Sequence, residues 1–347
     1  MIVFFIIDKV LQGWCQMGGE LLTVNDLSVK FKTADGLVNV LNGVSFDIAR
    51  NESVGFVGES GCGKSVTARS VMRILESNAV MDGDIRLYDG NSNVVELSAY
   101  KASDIKLRSI RGGRIAMIFQ EPMSSLCPVY TVGNQIIEAI RLHGNYLKKE
   151  AREIAVEYLS RVGMSRPGQI LETYPYQLSG GMRQRVVIAM ALSCEPELLI
   201  ADEPTTALDV TISAQILMLL EELQKKMNMA VMMINHNMGV IAETCSRVFV
   251  MYLGRIVESA PIRQLFSSPK HPYTVDLLGS IPKLTQKRGS KLTHIKGHVP
   301  DPLNIPSGCA YHNRCRLFEK GVCEVNVPDM SLVGPNQYVA CHKYSSE

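Results

Sequence analysis

The stretch "SVGFVGESGCGKS", residues 53–65, constrains this chain more than any other. A short apolar run leads into GxxxxGK[ST], the pattern of a phosphate-binding loop. Its glycines spare the backbone Cβ clashes, so successive N–H groups can turn inward around an anion. Gly58, Glu59, Ser60, Gly61, Cys62, Gly63, Lys64, Ser65 and Val66 are therefore read as a nucleotide cradle. Lys64 is placed to reach the outer phosphates, and the Ser65 hydroxyl to ligate Mg²⁺. The following "TARSVMRIL" reads as a helix whose positive N-terminal end faces the phosphates. Lys64 and the helix end also predict a lowered thiol pKa for Cys62, and hence a reactive cysteine.

Composition narrows the class. The 347 residues suffice for one large domain or two ordinary ones, each with a full core. With 36 basic and 34 acidic residues the net charge is +2, which argues against a dedicated nucleic-acid binder. The apolar "IVFFII" stops at Asp8, lacks a basic leader and is too short to span a bilayer. No other segment approaches a span, so the chain reads as cytosolic. Residues 1–20 form an extension that matches no pattern, and Met17 is an alternative start. Of nine cysteines, Cys15, Cys62, Cys127, Cys194 and Cys245 are scattered, whereas Cys309, Cys315, Cys323 and Cys341 crowd the end. A cytosolic chain does not hold such a group as disulfides, so a metal or cluster is the first reading.

Along the chain, "LLTVNDLSVKFKT" and "VNVLNGVSFDIA" alternate with period two around an "ADG" turn, predicting antiparallel strands. "GDIRLYDG" and "GRIAMIFQ" read as further strands, and residues 131–164 carry helical periodicity. "LLIADEP" and "AVMMINH" are continuous apolar runs with polar ends, the look of parallel strands buried on both faces. Strands alternating with helices predict an α/β core with an antiparallel β appendage. Beyond Ser268 the composition shifts to Pro, Gly, His and Cys, marking a loop-rich tail. The expected division is 1–20, 21–268 and 269–347.

The polar strand ends hold the candidate chemistry, because α/β sheets bind ligands there. Asp202 suits Mg²⁺ through water, and Glu203 suits orientation of an attacking water. Gln120 and His236 end two other strands, where a glutamine can touch Mg²⁺ and a histidine can sense a γ-phosphate. In "YQLSGGMRQRVVIAMAL", Ser179, Gly180 and Gly181 open a second helix and a second anion site. Two cradles but one Lys-bearing loop imply a composite site in a dimer, each cradle serving a different nucleotide.

In this order, GESGCGKS, Gln120, LSGGM, LLIADEP, ALD and His236 resemble the ATP-binding cassette ATPases over residues 21–268. The resemblance implies a P-loop NTPase cassette with a RecA-like parallel sheet, an antiparallel β-subdomain and a helical subdomain. It implies ATP and Mg²⁺ as cofactors, Lys64 and Ser65 on phosphate and metal, and Gln120 and Asp202 at the metal. Glu203 becomes the catalytic carboxylate, Gln120 the lid glutamine, His236 the switch histidine and Asp209 a dimer contact. Ser179, Gly180 and Gly181 become the signature facing a partner's γ-phosphate, and Phe31 the aromatic that stacks on adenine. Two positions depart from the pattern: Asn237 stands where an acid is usual, and Cys127 where an asparagine is common.

The tail "SPKHPYTVDLL", "VPDPLNIPSGCAYHNRC", "GVC" and "VACH" resembles subunits of peptide and nickel importers. That implies a second, related ATPase chain, two membrane permeases, an extracytoplasmic solute-binding protein and a place on the cytoplasmic face of the membrane. The "EPMSSL" stretch would meet the permease coupling helix. Five, seven and seventeen residues separate the tail cysteines, a spacing unlike the tight pairs of structural zinc sites. An iron–sulfur cluster tolerates irregular spacing, and related subunits carry one here, so a [4Fe–4S] cluster is favoured over zinc or free thiols. His312 and His342 are read as surface or outer groups. A nickel importer, a soluble non-transport cassette and a redox regulator are the competing readings. The second is disfavoured by the single cassette and the lack of coiled-coil heptads.

Overall fold

A computed structural model describes residues 19–34, 36–90, 93–121, 125–206, 208–281 and 295–344. The extension up to residue 18 and residues 122–124 of the "EPMSSL" stretch lie outside them. The described residues divide into two units: those within 19–49, 53–98 and 234–344 form the first, and those within 50–52 and 99–233 the second.

In chain order the first unit begins with β1 (Glu20–Thr33), β2 (Gly36–Ala49) and the wholly buried β3 (Ser53–Val57). Helix α1 (Lys64–Val71), β4 (Ala79–Tyr88) and β5 (Val94–Glu96) follow. The second unit holds α2 (Ile105–Ile110), β6 (Ile115–Ile118), α3 (Val132–His143) and α4 (Lys148–Arg161). It continues with α5 (Pro167–Ile170), α6 (Gly180–Leu192), β7 (Leu198–Asp202), α7 (Val210–Met227) and β8 (Ala230–Ile234). The chain then returns to the first unit with α8 (Met238–Thr244), β9 (Arg247–Tyr252), β10 (Arg255–Pro261), α9 (Ile262–Ser267) and α10 (Pro272–Gly279). Two tail strands close it, β11 (Met330–Gly334) and β12 (Gln337–Ala340).

The first unit carries two sheets. Strands β2-β1-β4-β5 form an antiparallel sheet, as the period-two pattern predicts, with Leu22, Val24, Leu27 and Val29 of β1 fully buried. The other runs β11-β12-β10-β9-β3, with β3 and β9 parallel and the remaining pairs antiparallel. Phe46, Phe56 and Phe249 pack ring to ring at 4.9–5.7 Å, joining β2 to β3 and β9. Beside them Arg247 reaches Asp47 with both arms of its guanidinium, at 3.1 and 3.0 Å, and donates to the Asp47 carbonyl at 2.7 Å. Their side chains are only 6% and 11% exposed, so neither charge has water to fall back on.

The tail does more than loop over a surface. Strand β12 pairs with β10, Glu258 opposite Val339 and Ser259 opposite Tyr338. Tyr311 is fully buried and packs against Tyr252 and Tyr273 at 5.1 and 5.4 Å. These aromatics supply a core that the Pro- and Gly-rich text of the tail does not advertise.

In the second unit β8-β7-β6 form a sheet. Helix α3 starts at Thr131, whose hydroxyl accepts from the Asn134 N–H. It buries Val132, Ile136, Ile137 and Ile140 along one face. Helix α7 buries Ile216, Leu217, Leu219, Leu220 and Leu223, and pairs Glu221 with Lys225 and Glu222 with Lys226 on its wet side.

Asp47→Ala would strand the Arg247 charge in the interior. It is expected to cost about 3–5 kcal/mol of stability in urea unfolding, far more than a surface pair. A loss under about 1 kcal/mol would show that water reaches Arg247.

Candidate functional site

In the first unit the eight residues after β3 fold back on themselves. Gly58 and Gly63 have φ of 153° and 103°. A Cβ on Gly58 would stand 2.3 Å from the Met251 carbonyl, and one on Gly63 would stand 2.5 Å from Leu41. Only glycine fits either place. Helix α1 begins at Lys64, three residues earlier than its apolar text suggests, and Thr67 fastens its first turn by donating to the Gly63 carbonyl at 3.0 Å. Lys64, 7% exposed, points its ammonium into the loop and donates to the carbonyls of Gly58 and Glu59 at 2.9 and 3.1 Å. Ser60 and Gly61 form the exposed tip, and Ser65 and Val66 are half-buried in the first helical turn.

Two loop residues differ from their sequence reading. The Glu59 N–H does not turn inward; it donates to the Tyr273 hydroxyl at 2.8 Å. Cys62 is 2% exposed, and burial pushes its thiol up, although Lys64 at 3.6 Å acts in the opposite sense. The expectation of an acidic, reactive thiol is therefore corrected: desolvation outweighs the neighbouring charge.

His236 follows β8 and is exposed. The Asn235 N–H donates to the Phe56 carbonyl at 3.3 Å, which sets His236 beside the end of β3 where the phosphate loop departs. Asn237 caps α8, its side chain accepting from the Gly239 N–H. Phe31 lies half-buried in β1, opposite Val38 and Ala79.

The second unit assembles a separate group by strand register. Ile118 of β6 stands opposite Ala201 of β7 in a parallel ladder. Carried two residues on, the same offset sets Gln120 level with Glu203. The Gln120 amide donates to Glu203 Oε2 at 3.1 Å, and the Thr206 hydroxyl donates to the same oxygen at 2.9 Å. Glu203 adopts φ of 47°, a left-handed turn that swings it away from the line of the strand. Asp202, the last residue of β7, is 2% exposed. Thr206 is a residue the motif reading missed; its signal was the threonine three places after the acid, within reach of a tight turn.

Ser179 caps α6 by accepting from the Met182 N–H at 3.3 Å, and Ser179 and Gly180 are exposed. A Cβ on Gly181 would stand 2.8 Å from Ile212, so glycine permits close packing of α6 on α7. Gln184, fully buried within α6, donates to the Pro204 carbonyl at 2.7 Å and ties the signature helix to the turn after Glu203. Asp209 caps α7 through the Ile212 N–H at 2.9 Å.

The four tail cysteines, spread over 33 positions of sequence, line one pocket together with His271, Tyr311 and Leu317. Burial pushes the Cys309 thiol up to about 11, with smaller upward pushes from Cys315, Cys341 and Cys323. Burial likewise raises Cys315 and Cys341. His312 and His342 donate to the carbonyls of Cys309 and Asn326, at 2.9 Å each. Among the described residues no three His, Cys, Asp or Glu side chains are arranged to hold a metal ion. A mononuclear zinc would need sulfurs about 2.3 Å from one centre, and this set does not provide that.

The architecture is that of a P-loop ATPase cassette. A family profile described as "ABC transporter" matches residues 41–206, and one described as "Oligopeptide/dipeptide transporter, C-terminal region" matches residues 257–323. A probable peptide ABC transporter ATP-binding protein of Sinorhizobium fredii is 49% identical over 92% of this chain and 94% of its own. The dipeptide transport ATP-binding protein DppD of Bacillus subtilis is 46% identical over 93% of this chain and 94% of its own. Among solved structures, a post-hydrolysis dimer of the ATP-binding cassette MJ0796 bound to ADP and Pi matches with a TM-score of 0.61 and 25% identity. That match covers 70% of this chain and 99% of the cassette. The chain belongs to the ABC transporter ATP-binding proteins that carry an oligopeptide/dipeptide transporter C-terminal region.

The burial of Cys62 has a direct readout. Iodoacetamide at neutral pH is expected to label it at least about tenfold more slowly than the exposed Cys127. Equal rates, followed by mass spectrometry, would restore the reactive-thiol reading.

Proposed function

We propose that this chain is the ATP-binding and ATP-hydrolysing subunit of a membrane importer for di- or oligopeptides. The observation that carries the hydrolytic part is Glu203, one carboxylate oxygen engaged by Gln120 and Thr206, at the end of a buried strand. An oriented carboxylate can align water and receive its proton. Gly58 to Val66 form the phosphate cradle, with Lys64 and Ser65 toward phosphate and Mg²⁺, and Gln120 and Asp202 toward the metal. Ser179, Gly180 and Gly181 act on the nucleotide of a second ATPase chain, His236 senses the γ-phosphate, and Phe31 stacks on the base. Mg²⁺, when bound, neutralises the phosphate oxygens.

The names of the relatives support peptides as cargo. Among the described residues no helix is long and apolar enough to cross a membrane, which suits a peripheral subunit beneath two permeases on the cytoplasmic face. An extracytoplasmic binding protein would deliver the peptide, and the second ATPase chain makes a heterodimer.

Glu203→Gln keeps size but loses the proton acceptor. Nucleotide binding is expected to persist while hydrolysis falls by roughly two orders of magnitude or more. Near-normal turnover would move the base elsewhere. In cells, the same substitution should abolish uptake of a labelled dipeptide; unimpaired uptake would refute the assignment of cargo.

For the tail, the four cysteines hold a [4Fe–4S] cluster that, when bound, supplies four thiolate cross-links. Protein purified without oxygen is expected to be brown and to contain about four irons per chain. Cys315→Ser should lose the colour. One zinc and no iron would overturn the cluster, and no metal at all would overturn any metal staple.

A further inference from the structure

Glu59 is an awkward residue for an anion cradle. It is the second residue of the loop, and a like charge is screened from a bound phosphate only beyond about one Debye length, roughly 8 Å. Unpaired, it would repel the ligand. The structure does not leave it unpaired. Arg314, which immediately precedes Cys315 in the tail, grips the carboxylate with both arms: Nη1 to Oε2 at 2.8 Å and Nη2 to Oε1 at 3.1 Å. Two further donors are also placed, Nε on the Lys296 carbonyl at 2.8 Å and Nη1 on the Tyr252 hydroxyl at 3.3 Å.

This pair is unlike the exposed ones elsewhere in the chain. The Arg314 side chain is 4% exposed and that of Glu59 is 24% exposed, and the two stand 255 positions apart in sequence. A buried ion pair is poor value as a stabiliser, since apolar substitutes of similar volume often do as well. What it does provide is a fixed geometry and a cancelled charge. Glu59 is held from three sides: Tyr273 accepts its N–H, Lys64 donates to its carbonyl, and Arg314 holds its carboxylate. The second residue of the loop is thereby pinned before any ligand arrives.

We propose that Arg314 is a positioning residue of the nucleotide site, neutralising Glu59 and fixing the phosphate loop for a polyphosphate ligand. The inference rests on the reading of residues 58–65 as a nucleotide cradle. It makes the tail a working part of that cradle rather than an attachment beside it.

The test is a titration of the full chain with a fluorescent ATP analogue, at low and high salt. Arg314→Met should weaken binding by about tenfold, a loss that shrinks at high salt because an exposed charge is its cause. In ATPase assays the KM for ATP should rise by a similar factor, while kcat moves by less than about twofold. Adding Glu59→Gln to Arg314→Met should restore affinity to within about threefold of the parent, because it removes the repulsion. A merely structural arginine predicts no such rescue. Arg314→Lys keeps the charge but loses the two-armed grip, should bind between the parent and the methionine variant, and serves if the methionine variant does not fold. Binding by Arg314→Met equal to the parent would overturn the proposal. So would a double variant as weak as Arg314→Met, or a lysine variant as weak as the methionine one. Lys64→Ala is the control: undiminished binding there would overturn the cradle itself, and this inference with it.

Discussion

A carboxylate with no exposure at all must be given hydrogen bonds from the protein, and Glu258 of β10 meets that demand in full. It accepts from the N–H groups of Lys270 and His271 at 2.9 and 2.8 Å, and from the Gln337 amide at 2.9 Å. Those three donors come from the entry to α10 and from β12. Satisfying one buried charge therefore fixes where the tail leaves the cassette and where it returns. Helix α10 then delivers Tyr273 to the Glu59 N–H, and β12 adds a strand beside β10. Removing the acceptor would leave a strand, a helix and a turn without their common anchor.

The two functional groups are prepared in different ways. Glu203 owes its place to strand register: a parallel ladder sets Gln120 level with it, and a left-handed residue turns its side chain. The phosphate loop owes its shape to the contacts of Tyr273 and Arg314 with Glu59 as much as to its glycines. Both are arrangements settled before chemistry, which is where a protein gains most over water in phosphoryl transfer. Thr206 and Gln184 extend the same logic to the turn after Glu203, one holding the carboxylate and the other the Pro204 carbonyl.

What could be read from sequence was local. A strand, a glycine-rich turn and a helix in series announce the loop because that pattern spans only a few residues, whereas the distant contacts of Tyr273 and Arg314 leave no local trace. The apolar runs ending in Asp202, Gln120 and His236 were legible for the same reason. Apart from Thr206 and the start of α1, which are local, the failures were of long range or of burial. β11 and β12 are short strands in Pro- and Gly-rich text, and pairing with β10 across some eighty positions decides them. The local reading of Cys62 fails because its sequence neighbours argue for a thiolate, while burial decides, with Gly254, nearly two hundred positions away, donating to its carbonyl. Nothing in "GESGCGKS" hints that its glutamate has an arginine partner near the other end of the chain.

The separation of Glu59 from Arg314 also has a meaning in time. Ribosomes add roughly 5–20 residues per second, so the arginine emerges about 13–50 s after the glutamate it neutralises. Throughout that interval the nascent cradle carries an uncancelled negative charge and lacks the Tyr273 anchor, which itself arrives 214 residues late. The Arg314–Glu59 pair is thus among the last contacts of the loop that translation makes available, and the loop reaches its full set of partners only when the tail is made.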